Sequence, residues 1–342
     1  MTASAAAATA ASTSAPVVRA LDRAARDAAH QTQASPSASC RACGHPGTVL
    51  ADRADGVVVR HGQAVAKAHA DGTDPVGHRA RIAMAGHPAL AGILLPPLPT
   101  PPLPTAATGL RGRPVTVWPY GTPVDPENPE AAPWEAAGTL LARLHSVPLE
   151  PLSPPDGGLP AMRGPVKAAL AVARMRAAGH HPAAAPVERA WRLLPAWARG
   201  EGRSPGPYAL CHGDLHLGQL VRHPAPDGPW LLIDVDDLGT GDPAWDLARP
   251  AAWYAAGLLP PEAWARFLGA YRGARGPAVP ASGDLWPRLD VPARALTVQG
   301  AALAIAKSVV EGRDPDGPEE LMIDACARMA ALATELAPGA SP

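Results

Sequence analysis

Three oxygen-bearing side chains within a short span of this chain could hold a cation and take up a proton. Asp214 closes the run Cys211-His212-Gly213-Asp214, Gln219 follows, and Asp234 ends a second apolar run, Trp230 to Ile233. Between Gln219-Leu220-Val221 and Trp230 lie Pro224, Pro226, Asp227, Gly228 and Pro229, a composition that predicts a hairpin with a longer loop. Paired strands run about 4.8 Å apart, so such a ribbon can present Asp214, the Gln219 amide oxygen and Asp234 at one end. One carboxylate there can accept a proton while the other two groups hold a hard cation. Mg2+ prefers oxygen donors and keeps its remaining positions for water and phosphate. Phosphoryl transfer needs those parts and little covalent help from the protein.

The stretch continues into Gly241-Asp242-Pro243 and Asp246-Leu247-Ala248. Taken in order with His212-Gly213-Asp214, Gln219 and Ile233-Asp234, it resembles the aminoglycoside phosphotransferase and choline kinase family, small-molecule kinases with a protein-kinase-like fold. The resemblance implies ATP as phosphoryl donor, Asp214 as the base that takes the proton of an acceptor hydroxyl, and Gln219 and Asp234 as Mg2+ ligands. It implies a structural part for His212, which orients the loop, and for Asp246, a buried acid that fixes it. Asp242 with Pro243 is expected to cap the helix beginning near Ala244. The family usually has Asn where this chain has Gln219. His-Gly-Asp-Leu-His-Leu-Gly-Gln also resembles the loop of bacterial maltokinases, a branch of the same superfamily.

The elements that must position these groups can be read upstream and downstream. Thr48 to Arg53, Gly56 to Arg60 and Gln63 to His69 read as strands, the last two joined at His61-Gly62 by a tight turn. They form the antiparallel sheet of an amino-terminal lobe, whose Asp55-Gly56 turn could cover nucleotide phosphates. Lys67 stands in the third strand; its order and distance resemble the family lysine that holds those phosphates. The helix expected at Pro75 to Ala85 offers no acid to pair with it, leaving Asp71 or Asp74. Arg113 to Trp118 reads as a strand running into Pro119-Tyr120-Gly121, where the family places its hinge, so Trp118 and Tyr120 are candidates to flank the adenine base. Helical patterns cover Trp134 to His145, Pro165 to Ala178, Pro186 to Trp197, Ala244 to Ala256, Pro261 to Tyr271, Pro292 to Glu311 and Glu319 to Leu336.

The expectation is an α+β, protein-kinase-like two-lobed fold. Residues 1–45 are expected to be a disordered tail with a short helix from Pro16 to His30. Residues 46–120 form a small antiparallel-sheet lobe for the nucleotide, and 121–337 a larger, mainly helical lobe for catalysis and the acceptor. The 30 basic and 31 acidic residues leave a net charge of −1, so no global field draws the chain to nucleic acid or a membrane surface. No run of 18 uncharged apolar residues predicts a membrane span. Four scattered cysteines and no signal-peptide pattern fit the reducing cytoplasm.

Cys40-Arg41-Ala42-Cys43 with His45 invites a zinc reading, but structural zinc takes four ligands and no second cysteine pair follows; two reduced thiols are expected. The function read here is transfer of the ATP γ-phosphoryl group to a hydroxyl of a small molecule of aminoglycoside, sugar or amino-alcohol type. Two alternatives stand beside it: a catalytically weak kinase-like binding protein, and a metal-dependent hydrolase using His212, Asp214 and His216.

Overall fold

The computed structural model describes residues 3–31, 42–53, 56–100, 110, 112–152 and 158–335. Cys40 and Asp55 lie outside them. In chain order the elements are α1 (Ala3–Gln31), β1 (Thr48–Arg53), β2 (Gly56–His61), β3 (Ala64–His69), α2 (Pro75–Ala85), β4 (Val115–Pro119), β5 (Thr122–Pro123), α3 (Trp134–His145), α4 (Gly164–Ala178), α5 (Ala184–Leu193), β6 (Ala209–Cys211), β7 (Leu220–Arg222), β8 (Trp230–Leu232), β9 (Gly239–Gly241), α6 (Ala244–Ala256), α7 (Pro261–Gly273), α8 (Trp286–Glu311) and α9 (Gly317–Glu335). The chain is a mixed α+β structure, with its small antiparallel sheet early and most helices late, as expected. It divides into two compact units, residues 1–123 with 220–233, and 124–219 with 234–342.

The first unit is built on an antiparallel sheet in the order β1-β2-β3-β4. The β2–β3 turn is tight, with His61 opposite Ala64, because Gly62 takes a left-handed φ of 57° that costs a glycine little. Alternation puts Val57, Val59, Ala64, Ala66, Ala68 and Val117 on one buried face. Covering that face is α1, through Val17, Leu21, Ala24, Ala25 and Ala28. Fully burying a residue such as Leu21 or Val59 contributes about 1.5–3 kcal/mol.

The helix expected from Pro16 to His30 is present, and its Val17–Ala29 stripe is part of the core. The departure is ahead of it, where the Ala- and Ser-rich start, expected to be a disordered tail, continues the same helix back to Ala3. Alanine has the highest helix propensity of all residues, and small side chains let a helix lie close on a sheet. The hairpin of β7 and β8, with Leu220 opposite Leu232, also falls in this unit, beside β5.

The second unit is helical apart from the short pair β6–β9. Its central helix, α8, packs against α4, α6 and α9. By length and composition α8 would reach across a bilayer, but most of its apolar stretch is buried within the unit. It begins earlier than the expected Pro292, because Pro287 sits in the first turn, where a missing N–H costs nothing. Pro292 is accommodated inside the helix. The close approach of α3 and α7 needs Gly138, where a Cβ would lie 2.3 Å from the Phe267 carbonyl oxygen.

Candidate active site

In the second unit, β6 pairs antiparallel with β9, Cys211 opposite Gly239. The chain leaving β6 is the His212-Gly213-Asp214 loop, and a buried carboxylate holds it. Asp246, in the first turn of α6, accepts from the backbone N–H of His212 at 2.6 Å and of Gly213 at 2.7 Å. Behind Asp246 runs a relay of hydrogen bonds. Ala278 N–H donates to the Tyr271 hydroxyl (2.9 Å), which lies 2.8 Å from His145 Nδ1; His145 Nε2 lies 3.0 Å from Asp246. The Asp246 carboxylate only accepts, so the imidazole donates from Nε2, and in its neutral form its Nδ1 accepts the Tyr271 proton. Burial alone would raise the Asp246 carboxyl, but the His145 hydrogen bond and the Gly213 N–H bring it below its usual value. His145 closes α3 as expected; its tie to Asp246, distant in sequence, is a result of folding.

Gly213 is required on two counts. Its φ is +85°, and a Cβ would stand 2.3 Å from the Asp237 carbonyl oxygen. Glycine thus lets the loop turn and present Asp214.

Asp214 lies between two cations. Lys167, on α4, is 2.7 Å from Oδ2, and Arg249, on α6, pairs with Oδ1. Burial raises the Asp214 carboxyl, and the charges of Arg249 and Lys167 outweigh it, so the net direction is down. The carboxylate is held ionised. Lys167 also reaches Asp237 Oδ2 at 2.7 Å. Burial lowers the Lys167 ammonium, but the two carboxylates raise it further. Asp237 is pushed up by burial, against the pull of Lys167; Arg163 Nη1 stands 3.5 Å from its other oxygen. Neither Lys167 nor Arg249 is evident from the motif itself.

Gln219 is buried, and its amide nitrogen as placed lies 3.2 Å from His216 Nε2. His216 Nδ1 accepts from Gly218 N–H at 3.1 Å, so the imidazole proton sits on Nε2 and must donate. The Gln219 amide therefore turns its oxygen toward His216, keeping one lone pair of that oxygen for a cation. Burial pushes His216 down to about 4, so it is neutral at ordinary pH. Asp214, Arg249, His212 and Asp234 all act on its charge, which brings the proposed base and the proposed ligand Asp234 within electrostatic reach of one ring. Asp234 has φ +61°, a conformation a non-glycine residue adopts at a cost and one found at functional sites.

The donors Asp234 and Gln219 are both oxygens, the chemistry Mg2+ favours. In the second unit, the described His, Cys and acid groups that converge as three possible ligands are His145, Cys211 and Asp246, where Asp246 is already committed to the loop. His212, Asp214 and His216 do not converge in that way. Pro243 is the N-cap of α6; Asp242, one residue ahead of it, is not the cap expected but accepts from Ala244 N–H at 3.1 Å, and also from Ser204 and Arg288.

In the first unit, Lys67 pairs across the sheet with Val58 and Thr116, and its Cε lies 3.8 Å from where a Cβ of Gly56 would stand. Asp74 caps α2 by accepting from Val76 and Gly77, and Asp71 accepts from Gly72; both candidate partners of Lys67 thus have local work. Trp118 Nε1 donates to Thr116 Oγ1 at 2.9 Å. The Arg60 guanidinium lies 3.3 Å from the centre of the Tyr120 ring. Tyr120 N–H donates to the Gln63 carbonyl, and its own carbonyl accepts from His223.

The chain's sequence matches the model of the phosphotransferase enzyme family over residues 51–290. The chain belongs to that family, a class of small-molecule kinases. Solved structures share its fold. A thermostable mutant of the aminoglycoside phosphotransferase APH(4)-Ia is 14% identical at a TM-score of 0.56, covering 84% of this chain and 95% of its own. Spectinomycin phosphotransferase APH(9)-Ia, in complex with ADP and spectinomycin, is 13% identical at 0.53, covering 85% and 94%. An ethanolamine kinase from Plasmodium vivax is 12% identical at 0.50, covering 82% and 81%. Comparison with curated protein sequences finds no match.

Proposed function

We propose that this protein transfers the γ-phosphoryl group of ATP to a hydroxyl of an uncharged or anionic small molecule, a sugar type being the best fit. Asp214 takes the hydroxyl proton as the oxygen attacks phosphorus. It is held by the loop that Asp246 clamps, and Lys167 and Arg249 keep it ionised. A carboxylate has about four lone-pair sites, so two ion pairs leave room for a hydroxyl. Gln219 and Asp234 would hold Mg2+, with His216 setting the Gln219 amide. When bound, the ion supplies neutralisation of charge on the transferred group. Lys67 would hold the nucleotide phosphates, with Trp118 and Tyr120 near the base.

The observation that carries the acceptor class is the charge around Asp214. Lys167 and Arg249 take both oxygens of Asp214, and Lys167 and Arg163 face Asp237. A polycationic aminoglycoside would add positive charge beside three cations, whereas a neutral or anionic hydroxyl compound would not. The test is ATP consumption across a panel of sugars, hydroxy acids, amino alcohols and aminoglycosides. Turnover with the first two groups is expected, and turnover confined to polycations would refute the assignment.

A further inference from the structure

The segment ahead of β1 carries a cluster that the phosphoryl-transfer site does not use. Cys43 Sγ lies 3.0 Å from Nε2 of His30, at the end of α1, and 3.7 Å from Nε2 of His61, the last residue of β2. The His61 ring is fixed from behind, its Nδ1 standing 2.9 Å from Asp22 Oδ1. A carboxylate accepts, so the proton is on Nδ1 and Nε2 turns a lone pair to the sulfur. Gly47 leaves room for this, because a Cβ there would come 2.4 Å from Asp22 Oδ1. His61 is buried, while Cys43 and His30 are exposed.

As a thiol, Cys43 can donate to only one of these nitrogens, the other ring donating to its sulfur. A divalent cation uses all three groups: a thiolate and two neutral imidazoles are zinc donors. Tetrahedral zinc, with Zn–S about 2.3 Å and Zn–N about 2.0 Å, puts sulfur and nitrogen about 3.5 Å apart, between the two separations found here. A carboxylate behind the ring is the usual support of a ligating histidine.

We propose that Cys43, His61 and His30 bind Zn2+, with Asp22 as the positioning residue of His61, and that the ion pins the end of α1 to the sheet it covers. As placed, the His30 and His61 ring nitrogens both approach Cys43 but do not converge with it on one point; rotation of the exposed His30 side chain closes the third corner, and a fourth position is open to water or another donor. The spacing of Cys40 and Cys43 directed attention to downstream cysteines, whereas the structure brings histidines from a helix and a strand.

The test uses the full chain without a histidine tag, reduced, stripped with a chelator and titrated with Co2+. A thiolate-to-cobalt absorption band saturating at one ion per chain and displaced by Zn2+ is expected, along with a rise in Tm on adding Zn2+. Cys43→Ser should lose the band and the Tm response. Asp22→Asn should keep the native circular dichroism spectrum and bind about 10–100-fold more weakly. Asp214→Asn should leave the band intact, separating this site from the phosphoryl-transfer site. Absence of the band and of a Zn2+-dependent Tm in the wild type, or an unchanged band in Cys43→Ser, overturns the proposal. If Cys43→Ser does not fold, His61→Gln makes the same comparison.

Discussion

Lys167 Nζ donates to Asp214 Oδ2 across 2.7 Å while holding Asp237 at the same distance, so one ammonium ties the proposed base to the acid that follows β8. In Lys167→Met the Asp214 carboxyl loses one of the charges that lower it, and its pKa rises. A base must be ionised, so the acid limb of the kcat/KM profile should move to higher pH, with the smallest loss of activity at alkaline pH. A uniform loss at every pH would mean that Lys167 acts on substrate and not through Asp214.

Asp246→Ala removes the acceptor of two backbone N–H groups and of His145, all in a buried setting. Breaking a buried charged network costs about 3–5 kcal/mol. Urea unfolding should show that loss, and turnover should fall even at temperatures where the variant stays folded.

Gly213→Ala forces a side chain into φ +85° and against the Asp237 carbonyl. The strain is about 1–3 kcal/mol, and a shift of about 1 Å at the base costs about 100-fold in rate. Steady-state kinetics should show the loss chiefly in kcat.

Much of the fold is legible locally. β2 and β3 alternate and share a turn that needs glycine at 62, while β1 is largely exposed and its register shifts between Val49 and Ala51; α3 and α6 fall at the boundaries their patterns give. The loop motif names Asp214, Gln219 and Asp234 because it is contiguous. Lys167 and Arg249 are not legible in that way, since they lie 47 and 35 residues from the aspartate they touch, and only folding brings α4 and α6 to the loop. One signal was present: of 30 basic residues only Lys67, Lys167 and Lys307 are lysines, so a lysine in this arginine-rich chain marks an unusual position. The helix over Pro16 to His30 is legible too, with Arg19, Asp22, Arg23, Arg26 and Asp27 between Val17, Leu21, Ala24 and Ala28; the surface it covers is not, since the sheet lies beyond it in the chain.

His216 gives a pH signature in the metal-free protein. Its folded pKa, about 4, lies below the unfolded value of about 6.5. As pH falls below about 6.5 the unfolded chain binds a proton the native state refuses, so stability declines down to about 4, by about 3 kcal/mol in all. Denaturation midpoints in EDTA should show this slope, and His216→Gln should flatten it. An imidazole NMR titration with a midpoint near 6.5 would contradict the assignment.

The most direct measurement is made on Asp214→Asn with a panel-identified acceptor, recording ATP turnover and Mg2+-dependent nucleotide binding on the same sample. Loss of turnover with nucleotide affinity unchanged is the predicted result; wild-type turnover in that variant would contradict the role given to Asp214.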